Sequence, residues 1–294
     1  MGLERKGSEL AAGRQCVTRM GDEGMRTVTK KVCPQGKLSS ALSAYFRSYA
    51  KGAGAEDVHV PVFRALKRIQ NLEQVLYPGC HRHITPSLFF PRVHYVDCDE
   101  KVGDIYRDAK ALDFINDNKE YTQQTVVSFS RGDFFSSSPV VEEEYFDLVI
   151  SLSAGNVSEP CGRYLKEGGY LLVNEAHGDA YRAYLDQRFE LAAVYDEDSQ
   201  QFDTSSDVVK ECFHTRGGEE LTKAMFDEIM LKPKSRRPNK LRFQRDAMFY
   251  LFRMKGEGKA IKPDHVQPSE LQVPSRIQKK RRTGVRGCEC NSVS

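Results

Sequence analysis

Small, acidic and aromatic residues directly follow four apolar stretches of the chain, in positions where they can bind a nucleoside. They are Gly79 with Cys80, Asp97 with Cys98, Asp133 with Phe134, and Ser151. Glycine lets the backbone approach a ligand closely. A carboxylate at position 97 can accept hydrogen bonds from both ribose hydroxyls, and one at position 133 can accept from the exocyclic amine of adenine. These residue types therefore predict a nucleoside site.

Two histidines, His81 and His83, follow Gly79 within the stretch "YPGCHRHITPSLFFP". Together with Cys80, His94 and Cys98 they form a pattern that resembles a zinc site, which needs about four nitrogen or sulfur ligands. His94 lies inside a predicted strand and Cys98 stands between two acids, so we predict no metal here. Contact with a ligand and a surface or packing role both stay open for the two histidines.

The apolar stretches alternate with helical patterns, which predicts βαβ units and a largely parallel sheet. In such sheets a ligand lies beyond the carboxyl ends of the strands, where the strand order reverses. We predict seven strands at 74–78, 93–97, 125–130, 146–153, 169–175, 189–197 and 247–255. Helices are predicted at 39–52, 61–71, 101–115, 161–167, 178–188 and 218–231, with one or two helical turns capped by Thr85.

The order of these elements resembles the Rossmann-like class I S-adenosylmethionine-dependent methyltransferases, as a divergent branch, over residues 60–255. "VLYPGC", "VHYVDCD", "SRGDFF", "FDLVISLS" and "LKEGGYLLVNE" are similar to the family's five successive motifs. The resemblance implies a seven-stranded, mostly parallel sheet with flanking helices, whose seventh strand is antiparallel beside the sixth. It also implies S-adenosylmethionine as the cofactor, bound by Gly79, His81, Asp97, Cys98, Asp133, Phe134 and Ser151.

The chain departs from the family pattern at the amino-acid end of the implied cofactor. His81 and His83 stand where the family has its second and third glycines, and Tyr77 stands where the family often has an acid. The segment after strand four, "SLSAGNVSEP", lacks the family's Asn/Asp-Pro-Pro-aromatic signature. The general base is unassigned. His177, after strand five, is a candidate for that base, and Ser153 and Asn156 are candidates for lining the acceptor site.

The domain organisation follows from composition. We expect a disordered segment at 1–37, a methyltransferase-like domain at 38–255 with an insertion at 199–245, and a disordered basic tail at 256–294. A mitochondrial transit peptide is an alternative for the first segment, although its acidic residues argue against it.

Charge and cysteine usage bear on partners and compartment. The net charge is +3, and the basic residues are concentrated in segments. Residues 232–245 hold seven basic residues and no acids, so weak nucleic-acid binding is one expectation and a solvated loop is the other. "RIQKKRR" can act as a nuclear import signal. Scattered cysteines and the lack of a long apolar run predict an intracellular, cytoplasmic or nuclear protein without a membrane span.

Two hypotheses of function remain. The first is an S-adenosylmethionine-dependent methyltransferase of unknown acceptor, and the second is a non-catalytic methyltransferase-like binding or scaffold protein. A Rossmann-type oxidoreductase lacks support, because the spaced glycines that cradle a pyrophosphate are missing.

Overall fold

The computed structural model describes residues 38–50, 57–135 and 142–256. The strands are β1 (Gln74–Pro78), β2 (Arg92–Asp97), β3 (Val126–Arg131), β4 (Phe146–Ser151), β5 (Leu165–Asn174), β6 (Phe189–Asp196), β7 (Gln201–Asp203) and β8 (Phe249–Met254). The helices are α1 (Ser40–Tyr49), α2 (Val60–Ile69), α3 (Gly103–Tyr106), α4 (Ala109–Asn118), α5 (Ser158–Cys161), α6 (Asp179–Leu185), α7 (Ser206–Cys212) and α8 (Lys223–Leu231). The predicted tails lie outside the described residues.

The sheet has the order β3-β2-β1-β4-β5-β8-β6-β7. Strands β1 to β5 pair in parallel, and β8 lies antiparallel between β5 and β6. The expected α/β fold with an antiparallel last strand beside the sixth is therefore confirmed. The strand order reverses between β1 and β4, which puts a crevice at their carboxyl ends.

The expected number of strands is wrong by one. The additional strand, β7, pairs antiparallel with β6 at the sheet edge and lies in the predicted insertion. A strand of three residues is too short to show a period of two, so its sequence does not reveal it.

Three local predictions also need correction. The predicted helix at 161–167 gives way at Leu165 to β5, whose first residue pairs with Phe146. The predicted helix at 101–115 is divided into α3 and α4, because Asp108 caps α4 by accepting from the Lys110 N–H. Thr85 lies inside a short 3₁₀ helix, Thr85–Leu88, instead of capping it.

Apolar side chains pack on both faces of the sheet. One cluster joins α1, α2, α3 and α4 to alternate strand residues such as Val75 and Tyr77, and a second joins α5, α6 and α8 to Leu76 on the opposite face. Near-continuous apolar strands such as β4 are explained by this double coverage. None of the helices in the described parts of the chain is long and apolar enough to cross a membrane.

Gly79 fixes the close approach of the loops after β1 and β4. Its φ is +62°, and a Cβ there would lie 2.3 Å from the Cβ of Ala154. A side chain is therefore excluded both by backbone conformation and by space.

We expect Gly79→Ala to lower the free energy of unfolding by about 2–4 kcal/mol, because backbone strain and overpacking add. Gly218→Ala is the matched control, since Gly218 has φ +84° and an added Cβ there would have no neighbour within 4 Å. It should lose only about 1 kcal/mol. Urea unfolding measures both changes, and equal losses would show that the Ala154 contact does not restrict position 79.

Candidate functional site at the carboxyl edge of the sheet

The loops after β1, β2 and β3 lie side by side. The Gly79 N–H donates to the Val96 carbonyl at 2.8 Å, and the Gly132 N–H donates to the Asp97 carbonyl at 3.0 Å. Gly79 and Asp133 follow β1 and β3, and Asp97 is the last residue of β2, so all three lie where these strands end. The sequence-predicted residues of these loops are thus neighbours along the carboxyl edge.

The Asp97 carboxylate organises the loop that follows β1. One oxygen accepts from the His81 N–H at 2.9 Å, and the other accepts from the Asp99 N–H at 3.0 Å. The residue is half-buried. Each carboxylate oxygen offers about two acceptor positions, so the group can hold the loop and still accept from a ligand hydroxyl.

His81 takes the left-handed backbone conformation that a glycine would take more easily. Its φ is +45°, which costs a residue with a side chain about 1–2 kcal/mol. Three bonds offset this cost: the N–H to Asp97, the carbonyl accepting from the Tyr106 hydroxyl at 2.7 Å, and ring Nδ1 to the Tyr49 hydroxyl at 3.0 Å. The pKa of His81 is lowered, mainly because the ring is partly desolvated and to a smaller extent because the positive charge of Arg82 is near.

Asp133 and Phe134 border the same turn. The exposed Asp133 carboxylate accepts from the Phe135 N–H at 3.0 Å. The Phe134 ring stacks on Phe135 at 4.8 Å and lies beside Gly79, 3.7 Å from the position of an added Cβ. An aromatic surface thus adjoins the turn after β1, as a base-covering ring would require.

Ser151 and Cys98 have other surroundings. Ser151 is buried, and its hydroxyl donates to Asp179 at 2.6 Å. The Ser158 hydroxyl donates to the same carboxylate at 2.6 Å, so Ser151 belongs to a buried network joining β4, α5 and α6. These surroundings do not support its assignment to a ligand. Cys98 is exposed, and its carbonyl accepts from Arg131.

The acceptor-side candidates are dispersed. Ser153 and Asn174 form two hydrogen bonds that link the ends of β4 and β5. Asn156 donates to Glu159 at 2.7 Å. His177 is exposed and has φ +60°. These contacts establish neither His177 as a general base nor Ser153 and Asn156 as residues that line an acceptor site.

The zinc-like pattern does not assemble. The Cys80 thiol is buried, and its pKa is raised by that burial. His94 bonds Ser128 on β3 at 2.8 Å, whereas His83 points to the opposite side of β1, towards Asp57.

A buried polar cluster that the sequence did not predict surrounds Asp57, just before α2. His83 Nε2 lies 2.6 Å from one Asp57 oxygen, and His59 Nδ1 lies 2.8 Å from the other. Thr85 donates to the Asp57 carboxylate, and the Tyr77 hydroxyl bonds His83 Nδ1 at 3.0 Å. Asp57, His83 and Thr85 are almost fully buried.

The charges in this cluster are set by two opposing effects. Burial raises the pKa of Asp57, but hydrogen bonds from His59 and His83 outweigh it and hold the pKa well below its usual range. Burial lowers the pKa of His83 despite its bond to Asp57. These shifts favour the carboxylate form of Asp57 and the neutral form of His83.

A sequence signal for this cluster exists in "DVHVP", residues 57–61. Asp57 and His59 are two residues apart and stand just before α2, which has Pro61 in its first turn. His83 is 26 residues away from Asp57, and only the fold brings them together.

The strand order and the antiparallel β8 between β5 and β6 are those of the Rossmann-like fold that the resemblance to class I methyltransferases implies. No protein-family model matches the chain, and no curated protein gives a significant match.

Solved methyltransferase structures resemble the chain at low identity. An O-methyltransferase from Bacillus cereus in complex with SAH is 15% identical, covers 55% of this chain and 85% of its own, and has a TM-score of 0.39. A methyltransferase from Geobacter sulfurreducens is 15% identical, with coverages of 54% and 85% and a TM-score of 0.38. The N-methyltransferase NodS from Bradyrhizobium japonicum is 12% identical, with coverages of 67% and 94% and a TM-score of 0.33. Likeness at this level carries no argument about activity, so the fold assignment depends on the sheet order.

We expect Ser151→Ala to destabilise the protein by about 1–3 kcal/mol, because Asp179 loses a buried donor. The affinity for any ligand of the carboxyl edge should stay unchanged. Thermal unfolding and calorimetric titration with S-adenosylhomocysteine measure the two effects. If Ser151→Ala instead bound S-adenosylhomocysteine more weakly without losing stability, Ser151 would be a ligand-binding residue.

Proposed function

We propose that the protein is an S-adenosylmethionine-dependent methyltransferase whose acceptor is unidentified. The observation that carries the proposal is Asp97, a half-buried carboxylate at the carboxyl end of β2 that keeps acceptor capacity beside the Gly79 turn. In this proposal Asp97 accepts from the ribose hydroxyls. Phe134 covers the adenine ring, and Asp133 accepts from its amine.

The loop "CHRH" favours a nucleoside ligand over a dinucleotide. A pyrophosphate needs glycines that let several backbone N–H groups converge on it. In this loop the His81 N–H is already bonded to Asp97, and the ring of His83 is turned inward to Asp57. A ligand with adenosine but no pyrophosphate is compatible with both bonds.

The amino-acid half of the cofactor would meet His81 and Arg82. The Arg82 guanidinium lies 3.0 Å from His81 Nε2, so a positive charge stands at the rim of the loop. A carboxylate is the group that this charge attracts. His81 and Arg82 would then replace the contacts that the missing glycines make in the family.

When bound, S-adenosylmethionine supplies an electrophilic methyl group. The contribution of the protein is to hold the adenosine, to exclude water and to align the acceptor, because in-line positioning alone lowers the barrier substantially. The ends of β4 and β5, joined by Ser153 and Asn174, border the side from which an acceptor would approach.

Nucleic-acid binding stays a prediction. Its support is a concave surface of the 199–245 insertion that Arg216, Lys234, Arg237 and Arg242 line together with Tyr181. None of its lining residues belongs to the loops after β1, β2 or β3. A phosphate-bearing acceptor is the ligand that such a surface would favour.

Calorimetric titration with S-adenosylhomocysteine and S-adenosylmethionine tests the proposal. Wild-type protein should bind both, and Asp97→Ala should bind at least about tenfold more weakly, because charge-assisted bonds to hydroxyls contribute about 1.5–3 kcal/mol. Asp117→Ala, on the exposed face of α4, is the matched control and should bind like wild type. Circular dichroism establishes that each variant is folded.

Two results would contradict the proposal. The first is that folded wild-type protein gives no heat of binding at about 1 mM ligand, a concentration that detects even weak binding. This result would favour the non-catalytic scaffold. Unchanged binding by Asp97→Ala would contradict the assignment of Asp97 to the ribose, which is the observation that carries the proposal.

A further inference from the structure

Three side chains with metal-binding atoms converge beside the loop after β1. One ligand atom from each of Asp57, His59 and His83 lies within 4.8 Å of the others. Within the described residues this is the only such group of three or more histidine, cysteine, aspartate or glutamate side chains. We propose that it binds a divalent transition-metal cation, with zinc as the reference ion. This inference does not depend on the proposed methyltransferase activity.

The ligand types and distances fit such an ion. Two imidazole nitrogens and one carboxylate oxygen form a donor set that zinc and its first-row neighbours accept. Bonds of about 2.1 Å in a tetrahedral site put neighbouring ligand atoms about 3.4 Å apart. The present nitrogen–oxygen distances are 2.6 Å for His83 and 2.8 Å for His59. These two distances run to different Asp57 oxygens, so the nitrogens would have to move away from the carboxylate to admit an ion between them.

Second contacts hold the ligands in orientation. His83 Nδ1 bonds the Tyr77 hydroxyl at 3.0 Å, and the Tyr49 ring stacks on His83 at 4.3 Å with an interplanar angle of 20°. The Asp57 carboxylate also accepts from the His59 N–H at 3.0 Å and from the Thr85 hydroxyl. Metal-bound histidines characteristically use their second ring nitrogen in this way.

Charge gives an independent reason for a cation. Asp57 is 3% exposed, and in the described structure the basic groups within ion-pair distance of it are two histidines, which carry a positive charge only when protonated. A buried carboxylate is expensive unless a positive charge accompanies it.

Access comes from the side of His59. The His59 side chain is 19% exposed, whereas those of Asp57 and His83 are 1% exposed. The His59 ring lies 5.8 Å from Phe249, which pairs with Asn174 at the end of β5. Three protein ligands with a reachable fourth position are typical of sites that bind water or a substrate group. The ion would therefore lie at the same carboxyl edge as the Asp97 loops.

Titration with Co²⁺ tests the proposal directly. Full-length protein without an affinity tag is stripped with a chelator, dialysed, and titrated while the visible d–d absorption is recorded. We expect saturation at one Co²⁺ per chain and displacement of the absorption by Zn²⁺. Elemental analysis of the zinc-loaded protein should return the same stoichiometry.

Matched variants identify the ligands. His59→Gln and His83→Gln should each weaken Co²⁺ binding by more than about 100-fold, and Tyr77→Phe by about 10–100-fold as the loss of an orienting bond. His94→Gln and His214→Gln should bind like wild type, because His94 and His214 lie outside the cluster. His59→Gln is the decisive variant if His83→Gln fails to fold, since His59 is more exposed.

Three outcomes would overturn the site. The first is that folded, stripped wild-type protein shows no d–d absorption in excess Co²⁺. The second is that His59→Gln binds Co²⁺ as tightly as wild type. The third is a sulfur-to-cobalt charge-transfer band, which would assign the ion to cysteines. Each would leave Asp57 as the centre of a hydrogen-bonded packing cluster. None bears on the binding of S-adenosylhomocysteine, so failure here is distinguishable from failure of the proposed function.

Discussion

The buried carboxylate of Asp57 is the interaction on which the geometry of the carboxyl edge depends. It accepts from His59 before α2, from His83 after β1 and from Thr85 in the following 3₁₀ helix. Three separate parts of the chain are thereby fixed to one group. Removing one partner from such a network is costly, because the remaining buried charge loses its compensation. The inward direction of His83 follows from this constraint.

With His83 fixed inside, His81 is left at the rim of the same loop. Asp97 then holds the His81 N–H, and the Tyr106 hydroxyl holds its carbonyl. The buried carboxylate of Asp57 and the half-buried carboxylate of Asp97 thus stabilise this turn. In the class I methyltransferases that the chain resembles, glycines form the corresponding turn. The loop does not need those glycines, because polar partners supply the energy that a left-handed residue with a side chain requires.

Much of the fold was predictable because its signals are local. The strand at 74–78 agrees with β1 residue for residue, and the antiparallel last strand follows from the resemblance. The Asp97 and Gly79 positions are also local, since they depend only on where a strand ends. The division of the predicted helix at 101–115 was visible in Asp108, a good helix cap that the apolar period obscured.

Long-range contacts account for what the sequence did not reveal. Asp57 and His83 are 26 residues apart in the sequence, and only the fold brings them into contact. The sequence around either residue does not indicate that the other is its partner. Ser151 follows the last apolar residues of β4 as a ligand-binding residue would, yet Asp179 turns its hydroxyl inward. In both cases the partner determines the role, and the partner is not a sequence neighbour.

Hydrogen–deuterium exchange with and without saturating S-adenosylhomocysteine tests the central claim, that the loops after β1, β2 and β3 form the ligand site. Slower exchange should appear in peptides covering 79–83, 97–103 and 131–135, and exchange in 216–246 should not change. Protection confined to 216–246, the basic surface of the insertion, would contradict the claim and move the ligand away from Asp97.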